Sequence, residues 1–258
     1  FRTEQYHEEK SPYYFERRNC VYTDTLSRGG KGALVKSGIG LIWSGFRPSD
    51  DACTYGYLIP SNMLASVVLS EMAQVSREVL ADEAFAAEAE SFSVEVRKAI
   101  EEYAIVPGHQ KEFYAYEVDG YGQYNIMDDA NIPSLLAMPY IGYCKKNAER
   151  YLNTREVILS EWNPYYYSGS ALQGIGSPHT PHSYVWMIAL CVQGLTSESR
   201  EEKEKILEMV CNADAGTDLM HESVCKDDPE QYTRPWFSWA NSVFCEFVID
   251  YLGDSVKM

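Results

Sequence analysis

The sequence predicts an all-α protein with minor β structure, and three observations support that prediction. Apolar residues recur at helical spacing in most segments after residue 58. The segments between them are long loops rich in Gly, Pro, Asp and aromatic residues. The first 47 residues contain several Gly and Tyr but no long periodic helix, and within them residues 38–43 are predicted to form a strand.

The first two predicted helices form a hairpin. The first begins at Pro60, with Ser61 as its N-cap. The second covers about residues 82–104. The apolar face of the first helix consists of Met63, Leu64, Val67, Val68, Met72 and Val75, and that of the second of Phe85, Ala86, Phe92, Val96 and Ile100. Each face is expected to be buried.

Five further helices and one short strand complete the predicted elements. The strand lies within residues 112–118. One helix follows Pro133, and the last begins at Thr233, which caps it with Pro235 in the first turn, and ends near Gly253. The other three helices cover about residues 147–160, 183–195 and 198–212. Short connections near residues 81, 145 and 196 join helices into hairpins.

Four long loops precede these hairpins. They cover residues 45–51, 119–131, 174–182 and 220–223. Two antiparallel helices separate each loop from the next, and an even number of crossings returns the chain to the same end of a helical stack. We therefore expect all four loops to lie on one face.

Residues that suit a sugar ligand are concentrated in and beside these loops. The loops contain the acids Asp50, Asp51, Asp119, Asp128, Asp129 and Glu222, together with Arg47, His179, His182 and His221. The aromatic residues are Tyr121, Trp162, Tyr165, Tyr166, Tyr167, Trp236 and Trp239. Sugar rings stack on aromatic faces, hydroxyls pair with Asp, Asn and Arg, and two acids can cleave a glycosidic bond. The alternative roles are helix capping or turn formation for each Asp-Asp pair and core filling for the tyrosines.

The charge and cysteine patterns argue against several functions. The net charge of −16 makes a nucleic-acid partner unexpected, because such binding depends on Lys and Arg. The apolar stretches are too short and interrupted to cross a membrane. The seven cysteines are scattered without a C-x-x-C pair, which argues against disulfides and structural zinc and favours a cytoplasmic over a periplasmic or secreted location. Pro181 separates His179 from His182, so they lack the spacing of a helical metal pair.

Seven strings between residues 44 and 242 contain most of these polar and aromatic residues. They are SGFRPSDDA (44–52), YLIPSNM (57–63), YEVDGYG (116–122), MDDANIPSLLA (127–137), GIGSPHTP (174–181), LMHES (219–223) and TRPWFSWANS (233–242). Together, and in this order, they resemble glycoside hydrolase family 125. The resemblance implies an (α/α)6 barrel and a metal-independent, exo-acting α-1,6-mannosidase that works with inversion and needs no cofactor. The implied substrate is an α-mannoside oligosaccharide of the N-glycan type.

The resemblance also implies roles for individual residues. Glu222 matches the general base, and either Asp50 or Asp51 matches the general acid. The residues expected to line the sugar pocket are Arg47, Asp128, Asp129, His179 and His221. In an inverting enzyme the two catalytic carboxyl groups lie roughly 6.5–9.5 Å apart, against about 5–5.5 Å in a retaining enzyme.

The length of the chain adds a further expectation. An (α/α)6 barrel has twelve helices and the sequence predicts about seven, so residues 1–258 are interpreted as one partial domain that lacks the N-terminal helices. Such a fragment is expected to be poorly active or aggregation-prone on its own, because half a barrel exposes apolar surface. Two alternatives remain: a metal-dependent hydrolase that uses His179, His182 and the Asp pairs, and a non-catalytic glycan-binding protein. The oligomeric state is left open.

Overall fold

The computed structural model describes residues 1–253 and is mostly helical with short strands, as predicted. The chain divides into two compact units. Unit 1 comprises Phe1–Ile126 and Ile141–Lys145, and unit 2 comprises Met127–Tyr140 and the chain from Lys146 onward. Within the described residues no helix is long and apolar enough to span a bilayer.

Unit 1 is built around a helical hairpin of α1 (Ile59–Val75) and α2 (Glu83–Tyr103). A π-helical turn, Ser76–Leu80, follows α1, and the chain then reverses at Ala81 with a left-handed φ of +54°. The Asp82 side chain accepts a hydrogen bond from Phe85 N at 3.0 Å and so caps α2. The predicted hairpin is therefore confirmed.

The two helices bury partly different faces from those predicted. Ala86, Phe92, Val96 and Ile100 of α2 are buried, but Phe85 is 41% exposed. In α1, Met63 and Val67 are buried, whereas Val68, Met72 and Val75 are exposed and the small or polar residues Asn62, Ser66 and Ala73 face inward. Ser93 Oγ donates to Ser66 O at 2.6 Å, so these small side chains allow the helices to approach closely.

The start of α1 corrects two predictions. The helix begins at Ile59 with Pro60 in its first turn, so Ser61 is not its N-cap. Residues 38–43 do not form a strand. Instead, the Asn62 side chain accepts from Ile42 N at 2.7 Å and donates to Ile42 O at 3.0 Å. A helix side chain thus satisfies buried backbone groups that a neighbouring strand would otherwise pair.

Three short strands complete the part of unit 1 that concerns the site. They are β1 (Tyr57–Leu58), β2 (Glu117–Val118) and β3 (Tyr124–Asn125). They form an antiparallel sheet in the order β1-β2-β3, in which Glu117 lies opposite Leu58 on one side and Asn125 on the other. The strand predicted within residues 112–118 is confirmed only for its last two residues.

Unit 2 alternates short strands with helices. Its elements are α3 (Glu149–Ile158), β4 (Tyr166–Ser168), β5 (Gln173–Ile175), β6 (Tyr184–Trp186), α4 (Met187–Leu195), α5 (Arg200–Cys211), β7 (Ser223–Cys225), β8 (Tyr232–Thr233) and α6 (Ser238–Tyr251). Helix α4 is almost wholly buried and packs against α5 and α6. A Cβ at Gly194 would lie 2.3 Å from the Phe247 ring, so glycine permits the close approach of α4 to α6.

Three predicted helices of unit 2 need correction. After Pro133, residues 136–140 form turns rather than the predicted helix. The helix predicted over 183–195 begins as strand β6, so that only Met187–Leu195 is helical. Thr233 ends strand β8 opposite Ser223 instead of capping a helix, and α6 begins at Ser238. The helices predicted over 147–160 and 198–212 are confirmed within two residues at each end.

Candidate active site

In unit 1 the two aspartates lie on a tight loop, residues 46–55, here called the Asp-Asp loop. Phe46 and Ala52 form an antiparallel bridge across its base. Arg47 N donates to Asp51 O at 2.8 Å, and Asp50 N donates to Arg47 O at 3.0 Å. Asp50 is exposed at the tip with a φ of +73°, whereas Asp51 is 2% exposed. The two carboxyl groups therefore have different surroundings although they are adjacent in sequence.

A buried ion pair lies beneath the Asp-Asp loop. Arg47 Nε donates to Glu117 Oε1 at 2.6 Å, and both side chains are buried. Glu117 Oε2 accepts from Thr54 N at 3.1 Å, from Tyr55 N at 3.2 Å and from Asn125 Nδ2 at 3.0 Å. The Arg47 guanidinium is thus bound within the loop's own scaffold, and its predicted contact with a sugar stays a prediction.

In unit 2 the residue predicted as the general base, Glu222, immediately precedes β7. We call residues 221–225 the Glu222 segment. Strand β7 pairs with β6 on one side and β8 on the other, and Glu222 N donates to Thr233 O at 3.2 Å. The Glu222 side chain is 7% exposed, and its Oε1 lies 3.0 Å from Nε of Arg234, whose side chain is 60% exposed. A carboxylate fixed by a sheet and paired with a partly solvated cation is suited to accept a proton from water.

His221 lies in a fully buried position beside Glu222. Its ring stacks on Tyr232 with a centroid distance of 3.7 Å and an interplanar angle of 2°. Its Nδ1 is 3.0 Å from the carbonyl oxygen of Pro235, and its Nε2 is 3.2 Å from that of Asp214. Because both ring nitrogens face backbone oxygens, this geometry favours a role in holding three chain segments together over the predicted contact with a sugar.

The pair Asp128 and Asp129 is fully buried in unit 2. Asp128 Oδ1 accepts from Leu135 N at 2.8 Å, and its Oδ2 accepts from Leu136 N at 2.9 Å. Burial raises the pKa of Asp128 to about 8, although the two backbone donors act in the opposite direction. Asp128 therefore stabilises the turn that replaces the predicted helix, which is the turn-forming alternative considered for this pair.

The histidines of the 174–182 loop do not meet as a metal-binding group. His179 N donates to Ser177 Oγ at 3.2 Å, and the His182 ring lies against the edge of Tyr167 at 5.0 Å. Over residues 1–253 no group of three or more His, Cys, Asp or Glu is arranged to hold a metal ion. The pocket-lining role predicted for His179 stays a prediction.

The seven aromatic residues predicted as sugar platforms differ in exposure, and Tyr165 and Tyr166 are partly exposed. Tyr121 of unit 1 and Trp162, Trp236 and Trp239 of unit 2 are each more than half exposed. Tyr167 is buried, as the core-filling alternative requires. Of the seven, the rings of Tyr121, Trp236 and Trp239 have the solvent exposure that stacking on a sugar requires.

Sequence reasoning did not assign roles to Glu117 or Arg234. Glu117 is fully buried between the apolar residues Tyr116 and Val118, and a charged residue inside an apolar strand is a signal that indicates a paired buried acid. Arg234 has a left-handed φ of +47° directly after strand β8. No sequence signal distinguishes it, because its proximity to Glu222 depends on strand pairing.

Carboxylates carried on loops, together with exposed aromatic side chains, are the groups that glycoside hydrolases use to cleave and bind sugars. The family model of the metal-independent α-mannosidases, glycoside hydrolase family 125, matches residues 1–249. The chain therefore belongs to this family, and the predicted resemblance is confirmed.

The chain is also similar to individual known proteins of about twice its length. It is 44% identical over 247 residues to the meiotically up-regulated gene 157 protein of Schizosaccharomyces pombe, covering 94% of this chain and 48% of that protein. A solved structure from Streptococcus pneumoniae, a metal-independent α-mannosidase in a non-productive complex with α-1,6-mannobiose, is similar with a TM-score of 0.94 and 46% identity. That similarity covers 98% of this chain and 59% of the other. The chain thus spans about half the length of these relatives.

A more distant structure shares only the fold. A bacterial glucoamylase complexed with acarbose aligns with a TM-score of 0.61 at 11% identity, over 78% of this chain and 34% of that one. At this identity the similarity concerns the arrangement of the backbone and not the substrate.

Proposed function

We propose that this chain supplies the catalytic acids of an exo-acting, inverting α-1,6-mannosidase that releases terminal mannose from N-glycan-type oligosaccharides. The family match over residues 1–249 supports an α-mannosidase without a metal cofactor. The linkage is supported by the α-1,6-mannobiose bound in the similar Streptococcus pneumoniae structure. Exo action and inversion come from the resemblance of the seven strings to the family.

The surroundings of Glu222 are the observation that carries the proposal. Its carboxylate is almost buried, is fixed by a three-stranded sheet and is paired with Arg234 at 3.0 Å. In the proposed reaction, Glu222 removes a proton from a water molecule that attacks the anomeric carbon from the face opposite the leaving sugar. The bond to the leaving oxygen breaks as Asp50 or Asp51 donates its proton to that oxygen. The products are mannose of inverted configuration and the shortened oligosaccharide.

We further propose that the helices belong to an (α/α)6 barrel, of which this single chain supplies a part. The antiparallel hairpin α1–α2 and the similarity to a longer mannosidase chain support this assignment. The exposed rings of Trp236 and Trp239, at the start of α6, are proposed to stack on mannose units.

The first experiment identifies the product anomer. The full-length protein is incubated with α-1,6-linked mannobiose and the released mannose is followed by NMR. Inversion at an α-linkage yields β-mannose first, which then mutarotates. Release of α-mannose first would overturn the inverting mechanism, and an absence of hydrolysis with intact binding of mannobiose would favour the glycan-binding alternative.

The E222Q variant tests the assigned base in the same assay. Its kcat is expected to fall by roughly 10²–10⁴-fold, because general base catalysis contributes about that factor, while mannobiose binding is retained. The matched control is E204Q, since Glu204 also pairs with an Arg Nε, that of Arg200 at 3.3 Å, but on the exposed surface of α5. Unchanged turnover in E222Q would remove Glu222 from the mechanism. Loss of wild-type activity on exhaustive chelation would instead favour the metal-dependent alternative.

A further inference from the structure

Glu117 joins the two ends of the Asp-Asp loop. Its Oε1 accepts from Arg47 near the start of the loop, and its Oε2 accepts from the backbone N–H groups of Thr54 and Tyr55 at the end. A fourth donor, Asn125 Nδ2, belongs to the adjacent strand β3. One fully buried carboxylate therefore fixes both ends of the loop to the sheet.

The same contacts connect Glu117 to both candidate acids. Arg47 binds Glu117 through its side chain, while its backbone N–H donates to Asp51 O and its carbonyl accepts from Asp50 N. Moving Arg47 therefore moves the backbone of both aspartates. The left-handed φ of +73° at Asp50 requires such support, because this conformation is strained for a residue other than glycine.

Stability alone is a weak reason for this arrangement. A buried ion pair loses the hydration of both charges, and apolar residues of similar volume often stabilise a fold as well or better. What the pair supplies is a defined geometry, because the carboxylate satisfies four donors that converge from three chain segments. A loop that carries a proton donor for catalysis needs such a geometry.

We propose that Glu117 is a positioning residue for the general acid: it holds the Asp-Asp loop so that the acid reaches the leaving oxygen. This inference rests on the proposed function. A displaced acid slows the breaking of bonds to poor leaving groups, which need protonation, and has little effect on good ones. The role therefore predicts an effect that depends on the leaving group.

The test compares two substrates in the full-length E117Q variant. Glutamine keeps the size of the side chain but loses its charge and replaces one acceptor oxygen by a donor. For α-1,6-mannobiose we expect kcat to fall on the order of 10²-fold, with KM changed less than about threefold, since a misplacement of about 1 Å can have that effect. For α-mannosyl fluoride, whose fluoride departs without an acid, we expect a fall of less than about fivefold.

The matched control is E202Q in unit 2. Glu202 also accepts from an arginine, Arg155 at 2.6 Å, and from Gln193 and Ser197, but none of these residues is on a candidate catalytic loop. If a carboxylate has only a structural role, its replacement should lower kcat for both substrates by the same factor. If kcat of E117Q, corrected for the folded fraction, fell equally for α-1,6-mannobiose and α-mannosyl fluoride, the proposal would be overturned.

Two further sets of variants make the outcome decisive. If E117Q does not fold, E117D keeps the charge but shortens the reach, and it should show the same selective loss on mannobiose. D50N and D51N test the proposed function independently, because the variant that removes the acid must lose mannobiose turnover selectively. If neither D50N nor D51N loses mannobiose turnover selectively, the proposed acid is wrong. If one of them does and the Glu117 variants do not, only the positioning role of Glu117 is wrong.

Discussion

The two candidate catalytic segments are held in place by different means. In unit 1 the Asp-Asp loop depends on side chains, above all the buried pair of Arg47 and Glu117. In unit 2 the Glu222 segment depends on backbone pairing, since β7 lies between β6 and β8. Glu222 also forms an ion pair with Arg234, but most of the Arg234 side chain is exposed to solvent.

This difference predicts different sensitivity to mutation. Backbone hydrogen bonds survive a side-chain substitution, whereas a loop held by one carboxylate loses several contacts at once when that carboxylate or its cation is removed. Two arginines allow a matched comparison, because Nε of Arg47 and Nε of Arg234 each form an ion pair with a glutamate Oε1, at 2.6 Å and 3.0 Å. Replacing each by methionine removes the charge and keeps an unbranched side chain.

The largest effect is expected for R47M. This substitution leaves the Glu117 carboxylate buried without its cation, and breaking a buried ion pair in this way costs about 3–5 kcal/mol. We expect a lower midpoint in chemical denaturation of the full-length protein and faster hydrogen–deuterium exchange in a peptide covering residues 46–55. Exchange of that peptide at the wild-type rate would show that backbone contacts suffice to hold the Asp-Asp loop.

The double variant R47M/E117Q separates charge from packing. It removes both members of the pair, so no uncompensated buried charge remains. It should recover part of the stability lost in R47M, measured by the same denaturation experiment. A double variant that is less stable than R47M would show that hydrogen bonds of Glu117 to the backbone outweigh the ion pair.

At Asp128, whose carboxylate accepts hydrogen bonds from two backbone N–H groups of its turn, the expected effect depends on pH. Burial raises the pKa of Asp128 to about 8, above its value of 3.8 in an unfolded chain. The folded state therefore binds this proton more tightly, and the resulting stability is full below about pH 4 and is lost as the pH rises through about 8. The unfolding free energy of the wild type, relative to D128N, should fall over this window by at most about 1.4 kcal/mol per pH unit.

The control for Asp128 is D119N in unit 1. Asp119 Oδ1 also accepts two backbone N–H groups, from Tyr121 at 2.7 Å and Gln123 at 3.0 Å, but it is not buried. Unfolding of both variants and the wild type is measured by urea titration from pH 4 to pH 8. If the difference in unfolding free energy between wild type and D128N did not change from pH 4 to pH 8, the raised pKa of Asp128 would be contradicted.

The sequence predicted the helices that bury a regular apolar face and failed where side chains replace backbone pairing. Helix α2 was predicted almost to the residue because its buried positions follow helical spacing. The predicted strand 38–43 was wrong because the Asn62 side chain pairs with that backbone. The helix expected after Pro133 was wrong because Asp128 binds Leu135 N and Leu136 N in a turn, and neither long-range contact is visible in local patterning.

Prediction of the site was limited in the same way. The loops that carry the candidate acids were identified from their composition and from the family resemblance. The internal contacts of those loops were not, because Glu117 is separated from Arg47 by 70 residues. His221 illustrates the consequence: it lies in a family string beside Glu222, yet its ring nitrogens face the carbonyl oxygens of Pro235 and Asp214.

The smallest effect is expected for R234M, which completes the comparison of the two arginines. The Arg234 side chain is 60% exposed, and an ion pair of this kind contributes about 0–1 kcal/mol because solvent screens it. The pairing of β7 with β6 and β8 does not involve the Arg234 side chain, so exchange in a peptide covering residues 221–225 should match the wild type within about twofold. If R234M instead accelerated exchange there as strongly as R47M does in residues 46–55, the Glu222 segment would depend on its side-chain contact, and the proposed contrast between the two segments would be wrong.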